Sequence, residues 1–168
     1  MLETKRLRLR DYTEEDFEFL YTLTSNPNVV RYIGIGEVYT KEQTKAALGR
    51  MFKLYEGNTY MGLKVIELKD SGTPIGHAGF LPQTIEGIEY MEIGYWIAEE
   101  HWRNGYATEI ATALRAFGEQ QLHLDEIISL VHVGNKGSRK VAEANGMQIK
   151  KTVNLKGKEV YVFSTMEE

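Results

Sequence analysis

Cysteine is absent from this chain of 168 residues. Its absence excludes disulfides, a thiolate nucleophile and any metal site built on thiolates, and it fits a reducing compartment. No stretch approaches the roughly 20 apolar residues of a membrane-spanning helix. The opening Met1-Leu2-Glu3-Thr4-Lys5-Arg6-Leu7-Arg8-Leu9-Arg10 is charged where a secretory signal has its apolar segment. A soluble cytoplasmic protein with no membrane partner is the expectation. An excess of positive charge is lacking too: the net charge is -4, which argues against a broad basic face for nucleic acid. Only Lys136, Arg139, Lys140, Lys150 and Lys151 form a local basic cluster. Also missing are a Gly-x-Ser-x-Gly nucleophile elbow and the lysine signature of a P-loop. His77, His101, His123 and His132 show no metal-ligand spacing, and read in part as satisfied strand or loop residues. With no repeat, low-complexity tract or linker, one domain over residues 1–168 is the simplest reading.

What is present is a succession of short patterned segments. From Thr4 to Arg10 the residues alternate as in a half-buried strand, with Leu7 and Leu9 inward and Arg6, Arg8 and Arg10 reading as a solvated face. Thr13 stands as an N-cap before Glu14, Glu15 and Asp16, and Phe17, Leu20 and Tyr21 supply the stripe of a first helix. Asn28–Tyr39 reads as a loop; its Gly34-Ile35-Gly36 lacks the third glycine and the setting of a dinucleotide fingerprint. Thr40 and Gln43 make a capping box for a second helix, whose stripe of Leu48, Met51, Phe52 and Tyr55 reads as core packing. Tyr60–Leu68, Ile75–Leu81 and Ile88–Ile97 read as antiparallel strands joined by turns at Lys69–Gly72 and Gln83–Gly87.

The next strand, Asp125–Val133, contains the nearly continuous apolar run of a strand covered on both faces. A helix separates it from Ile88–Ile97, which makes the two parallel through a right-handed crossover. Asn135 then caps a short helix, Ser138–Ala144, closed by Asn145-Gly146, and the strands Gln148–Val153 and Glu159–Thr165 end the chain.

The stretch Tyr90–Gly118 organises the rest. Its strand passes through a charged loop to Arg103-Asn104-Gly105-Tyr106-Ala107, where an amphipathic helix with the stripe Ala107, Ile110, Ala111, Leu114 and Phe117 begins. The first turn of a helix offers unpaired N–H groups at the positive end of the dipole, and Gly105 has no Cβ to hold a phosphate away. An anionic ligand is expected there. Three strands running into a helix do not make the alternation of a Rossmann domain.

This order of elements resembles the GNAT superfamily of acyl-CoA-dependent N-acetyltransferases, and within it the branch of the ribosomal-protein N-terminal acetyltransferases. Four stretches carry the resemblance: Thr4–Arg10, Glu92–Ile97, Trp102–Glu109, and Asn135–Ser138 with Glu143–Met147. It implies an α+β fold of three layers, a mixed and mostly antiparallel sheet of about seven strands with helices on both faces. The family's phosphate turn has Gln or Arg, two residues, Gly, one residue, then Gly or Ala. Aligned on Gly105 and Ala107, Trp102 replaces the Gln or Arg and Arg103 stands where glycine is frequent. The resemblance implies that Arg103, Asn104, Gly105, Tyr106, Ala107 and Thr108 bind the pyrophosphate of acetyl-CoA. Tyr95, Trp96 and Ile97 would pair with its pantetheine arm, which Asn135 would approach.

Acetyl transfer from a thioester to an amine needs a base for the amine, donors for the carbonyl oxygen and a proton for the departing thiolate. Glu92 is the candidate base, since a carboxylate within a strand is costly without a partner or a role; a structural partner for an arginine or a backbone N–H is the competing reading. Alternation puts Tyr90, Glu92, Gly94 and Trp96 on one face and Met91, Ile93, Tyr95 and Ile97 on the other. Ala142 occupies the position where many relatives carry an acid tyrosine, which leaves Ser138 as candidate acid beside its plainer role at a helix start. The side chains of Tyr95 and Trp96 read as core. The expected activity is acetyl transfer to a small-molecule amine or a protein N-terminus without a metal, by a monomer or homodimer. A catalytically silent acyl-CoA-binding module is the alternative.

Overall fold

The computed structural model describes residues 2–166, so the expected domain over 1–168 extends at Met1, Glu167 and Glu168 beyond the described residues. Seven strands form one sheet: β1 (Leu7–Arg10), β2 (Gly62–Leu68), β3 (Pro74–Ile85), β4 (Ile88–Ile97), β5 (Ile128–His132), β6 (Gln148–Leu155) and β7 (Lys158–Ser164). Their order is β1-β2-β3-β4-β5-β7-β6, and only β4 and β5 are parallel. The helices are α1 (Phe17–Thr24), α2 (Pro27–Val30), α3 (Lys41–Gly57), α4 (Tyr106–Gln120) and α5 (Lys136–Ala144).

Successive strand residues face opposite ways, and the chain uses both faces. Val65 packs with Leu20 of α1 and Leu48 of α3, while its neighbour Ile66 joins Leu7, Leu9, Ile93 and the α4 residues Ile110 and Leu114. The expected α+β architecture with helices on both faces is therefore what the chain forms. Among the described residues no helix is long and apolar enough to cross a membrane, and no cluster of three metal-ligating side chains occurs.

Several local expectations change. The arginines Arg6, Arg8 and Arg10 are not simply a solvated face. Arg8 and Arg10 share Glu67 at 2.9 and 2.8 Å, Arg10 also holds Asp16 at 2.8 Å, and Arg6 reaches Glu109 at 2.7 Å. The segment read as a loop from Asn28 begins within the short helix α2, capped by the Asn26 side chain. The turn read as Gln83–Gly87 shrinks to Glu86-Gly87, because both residues take positive φ (51° and 79°) and close a two-residue hairpin. Gln83 consequently belongs to β3. The basic cluster is largely neutralised: Arg139, Lys150 and Lys151 pair with Glu143, Glu126 and Glu86. Helix α5 starts at Lys136, with Asn135 as its cap as expected.

Candidate active site

The site is set by a fork in the sheet. β4 and β5 share a single bridged pair, Glu92 with Ile128, and beyond it β5 is paired with β7. Backbone direction in β4 alternates: Ala98 donates its N–H to the Ile75 carbonyl on the β3 side at 2.8 Å. Tyr95 and Ile97 therefore turn their backbone groups away from β3, into the fork. The indole N–H of Trp102 donates to the Ile97 carbonyl at 2.7 Å, which leaves the Ile97 N–H and both backbone groups of Tyr95 open. Trp102 thus has a task of its own: it ties the turn before α4 to the strand end.

In that turn Arg103 has φ 64° and Gly105 φ 79°. A left-handed φ suits glycine, which explains why glycine is frequent where this chain has Arg103. The Asn104 side-chain amide donates to the His101 and Trp102 carbonyls at 3.0 Å each, so this side chain closes the turn. Helices α3 and α5 are capped by the side chains of Thr40 and Asn135, but α4 has Gly105 at its cap and no side-chain donor or acceptor there. Its first backbone bond runs from the Glu109 N–H to the Gly105 carbonyl at 3.0 Å, which leaves the N–H groups of Tyr106, Ala107 and Thr108 without helical partners. Arg6 braces this end by bonding Glu109 at 2.7 Å and the Asn104 carbonyl at 2.9 Å, its guanidinium 4.5 Å from the centre of the Tyr106 ring.

Glu92 sits where the strands part. The side-chain amide of Gln83 donates to its Oε1 at 2.8 Å, and the Leu130 N–H of β5 donates to the same carboxyl. Burial outweighs these two donors and pushes the carboxyl up to about 7. No arginine or lysine forms an ion pair with it among the described residues, so of the structural reading the arginine partner is absent and the backbone N–H partner, Leu130, is present. Across the fork, the Tyr95 hydroxyl lies 2.7 Å from the Ser138 Oγ, and burial pushes the phenol up to about 12. The Tyr95 side chain, read as core, is thus a polar contact between β4 and α5. The Asn135 Oδ1 accepts from the Ser138 N–H at 3.1 Å, fixing that residue at the helix start.

Trp96 also departs from a purely core role, since it lines a cavity with His77 of β3. The His77 Nδ1 lies 2.6 Å from the Tyr12 hydroxyl, but its buried Nε2 has no partner, so this histidine is not fully satisfied. Sequence reasoning missed Gln83 because it was placed in a turn, and missed Arg6 and Glu109 because their contact spans 103 residues.

A fork between parallel strands, with an uncapped helix start on a glycine turn after β4, suits an extended ligand that ends in an anionic group. The Acetyltransferase (GNAT) domain model matches residues 6–148. YkkB of Bacillus subtilis (strain 168), an uncharacterized protein, is 35% identical over 163 residues, 96% of this chain and 93% of that one. YoaA of the same strain, named an uncharacterized N-acetyltransferase, is 34% identical over 149 residues, 88% of this chain and 82% of that one. A solved RimL ribosomal α-N-protein acetyltransferase in complex with coenzyme A superposes with a TM-score of 0.78 at 19% identity, covering 96% of this chain and 94% of that one. The chain belongs to the GNAT acetyltransferase family and is an acetyltransferase.

Proposed function

We propose that the protein transfers the acetyl group of acetyl-CoA directly to a primary amine, of a small molecule or a protein N-terminus, with Glu92 as the base. The observation that carries this reading is the fork of β4 and β5 with a carboxyl raised to about 7 at its apex. The open backbone groups of Tyr95 and Ile97 pair with the pantetheine amides along β4, beside Trp96. The N–H groups of Tyr106, Ala107 and Thr108 receive the pyrophosphate, with Gly105 allowing close approach, Asn104 holding the turn and the Arg103 guanidinium adding charge. The side-chain N–H of Asn135, whose oxygen is committed to Ser138, faces the same arm.

In the reaction Glu92 accepts a proton from the acceptor amine, and the amine nitrogen attacks the thioester carbonyl carbon. The carbon–sulfur bond breaks, and the departing sulfur takes a proton from Ser138, which Tyr95 replaces through the 2.7 Å contact; Tyr95 then regains a proton from solvent and Glu92 releases one to it. A raised Tyr95 keeps its proton in the resting enzyme and so remains a donor. The buried Ala142 leaves α5 without a tyrosine, and the paired hydroxyls of Tyr95 and Ser138 fill that chemical role. They favour an active enzyme over a silent acyl-CoA-binding module. We read the enzyme as cytoplasmic and in need of no metal. The test follows CoA thiol release with acetyl-CoA and a panel of primary amines. Turnover that falls about 100-fold in kcat in Glu92→Gln, with little change in the acetyl-CoA KM, is the expected result. Tight CoA binding without turnover on any amine would sink the assignment.

A further inference from the structure

On the Glu92 face of the sheet, beside Trp96, lies a cavity of about 110 Å³. That is space for about four water molecules or a short organic group of similar bulk. Its walls are mostly apolar, with Leu20 from α1, Met51 from α3, Leu63 from β2 and Trp96 from β4. Tyr39 stands edge-on to Trp96 with ring centres 6.3 Å apart. Tyr12, Thr24, Tyr39, Arg50 and His77 bring polar atoms to the lining, and of these His77 is 2% exposed.

The two nitrogens of that ring differ. Nδ1 lies 2.6 Å from the Tyr12 hydroxyl, while the buried Nε2 has no hydrogen-bond partner. Among the described residues the Tyr12 hydroxyl has no acceptor other than Nδ1, and a buried phenol donates where it can. Nδ1 is then the acceptor, and Nε2 carries the hydrogen. A buried donor left unpaired costs about 1–3 kcal/mol, and an acceptor brought to Nε2 from the cavity that His77 lines would recover that cost. Burial keeps the ring neutral by pushing its pKa down to about 3. No carboxylate lines the cavity, and Arg50, at its exposed side, has no ion-pair partner among the described residues. An ammonium group would find no carboxylate there, only aromatic ring faces beside the cationic Arg50.

The cavity also lies in line with the proposed base. Glu92, Gly94 and Trp96 share one face of β4, about 13 Å from end to end. The side chains of Leu81 and Leu63 lie over Gly94, where a Cβ would meet them at 3.3 and 3.6 Å, so an acceptor reaching from Glu92 to the cavity passes against these two leucines. We propose that this cavity receives the far end of an extended acceptor, and that the His77 Nε2–H selects acceptors ending in an uncharged oxygen acceptor such as an amide carbonyl. The substrate class is therefore primary amines with a neutral, carbonyl-bearing tail, and not polyamines. This rests on the reading of Glu92 as the base.

Three amines of matched length test it: monoacetylcadaverine, the corresponding alkylamine, and cadaverine. With CoA thiol release as the assay, kcat/KM is expected to be at least tenfold higher for monoacetylcadaverine than for the alkylamine, and lowest for cadaverine. His77→Phe should bring monoacetylcadaverine down to the alkylamine's level in the same variant. Equal use of the two neutral amines, a preference for cadaverine, or a preference that survives His77→Phe overturns the proposal. Should that variant not fold, the imidazole nitrogen and Nε2 proton resonances of His77 in the wild-type protein decide the matter. A shift on titration with monoacetylcadaverine, and none with cadaverine, supports the proposal; no shift at saturation overturns it. The resonance is independent of turnover, so a shift without acetylation would leave the cavity assignment standing and remove the base assignment.

Discussion

Replacing Glu92 with Gln separates the work of this carboxyl in the fold from its proposed work in the reaction. Burial raises it from the ordinary 4.5 to about 7, against the opposing hydrogen bonds from Gln83 and Leu130. A group raised on folding holds its proton more tightly in the folded chain than in the unfolded one. The stability it contributes is complete below pH 4.5, declines as pH rises toward about 7, and is lost above that. The whole difference corresponds to about 3 kcal/mol at most, and partial contact with solvent reduces the figure to about 1–2 kcal/mol. Gln keeps the shape and an oxygen for Gln83 but cannot ionise. For a domain of this size 1 kcal/mol moves Tm by about 2–4 °C, so Glu92→Gln should melt about 3–6 °C above the wild type near pH 8.5 and level with it near pH 4.5. Thermal melts of both proteins across that range check this. A Tm difference that does not change with pH, or a less stable variant at high pH, would refute the reasoning.

Other perturbations probe the proposed phosphate turn and its bracing. Gly105→Glu places a side chain and a negative charge at a φ of 79° beside the helix start, and calorimetry should find CoA binding abolished. Arg103→Gly relieves a left-handed residue at some entropic expense in the unfolded chain, so Tm should move by less than about 3 °C while the CoA Kd rises about 3- to 10-fold at low salt. Glu109→Gln removes the carboxylate that accepts from Thr4 and Arg6 and should destabilise by about 1–2 kcal/mol at pH 7. Since Glu109 is held below the ordinary value of 4.5, its contribution is present above that pH and fades as pH falls through its folded value; denaturant melts should show the two proteins converging in acid. Trp102→Phe loses the bond to the Ile97 carbonyl and should raise the Kd for CoA several-fold with kcat little changed in proportion.

The parts of this fold that were legible in the sequence are those written locally. The alternation of Leu7 and Leu9, the capping box at Thr40, the cap at Asn135 and the glycine at Gly105 each act within a few residues, and each stands where the pattern puts it. Glu92 drew attention because a carboxylate inside a strand is out of place there. Its partner Gln83 was hidden by a hairpin of Glu86-Gly87, since Glu is a weak signal for a turn that needs positive φ at both positions. Contacts made across the sheet left no local trace. Arg6 with Glu109, Tyr95 with Ser138 and Tyr12 with His77 are all paired by topology, and no periodicity in the chain announces them. The fork itself is of this kind, because the strands part where no glycine or proline interrupts β5.

Amide hydrogen exchange at Tyr95 and Ile97, with and without saturating CoA, tests the central claim most directly. These two N–H groups point into the fork, and the account predicts at least tenfold slower exchange for both once the pantetheine arm lies along β4, with slowing also at Tyr106, Ala107 and Thr108. Unchanged exchange at Tyr95 and Ile97, in protein shown by calorimetry to be saturated with CoA, would contradict it.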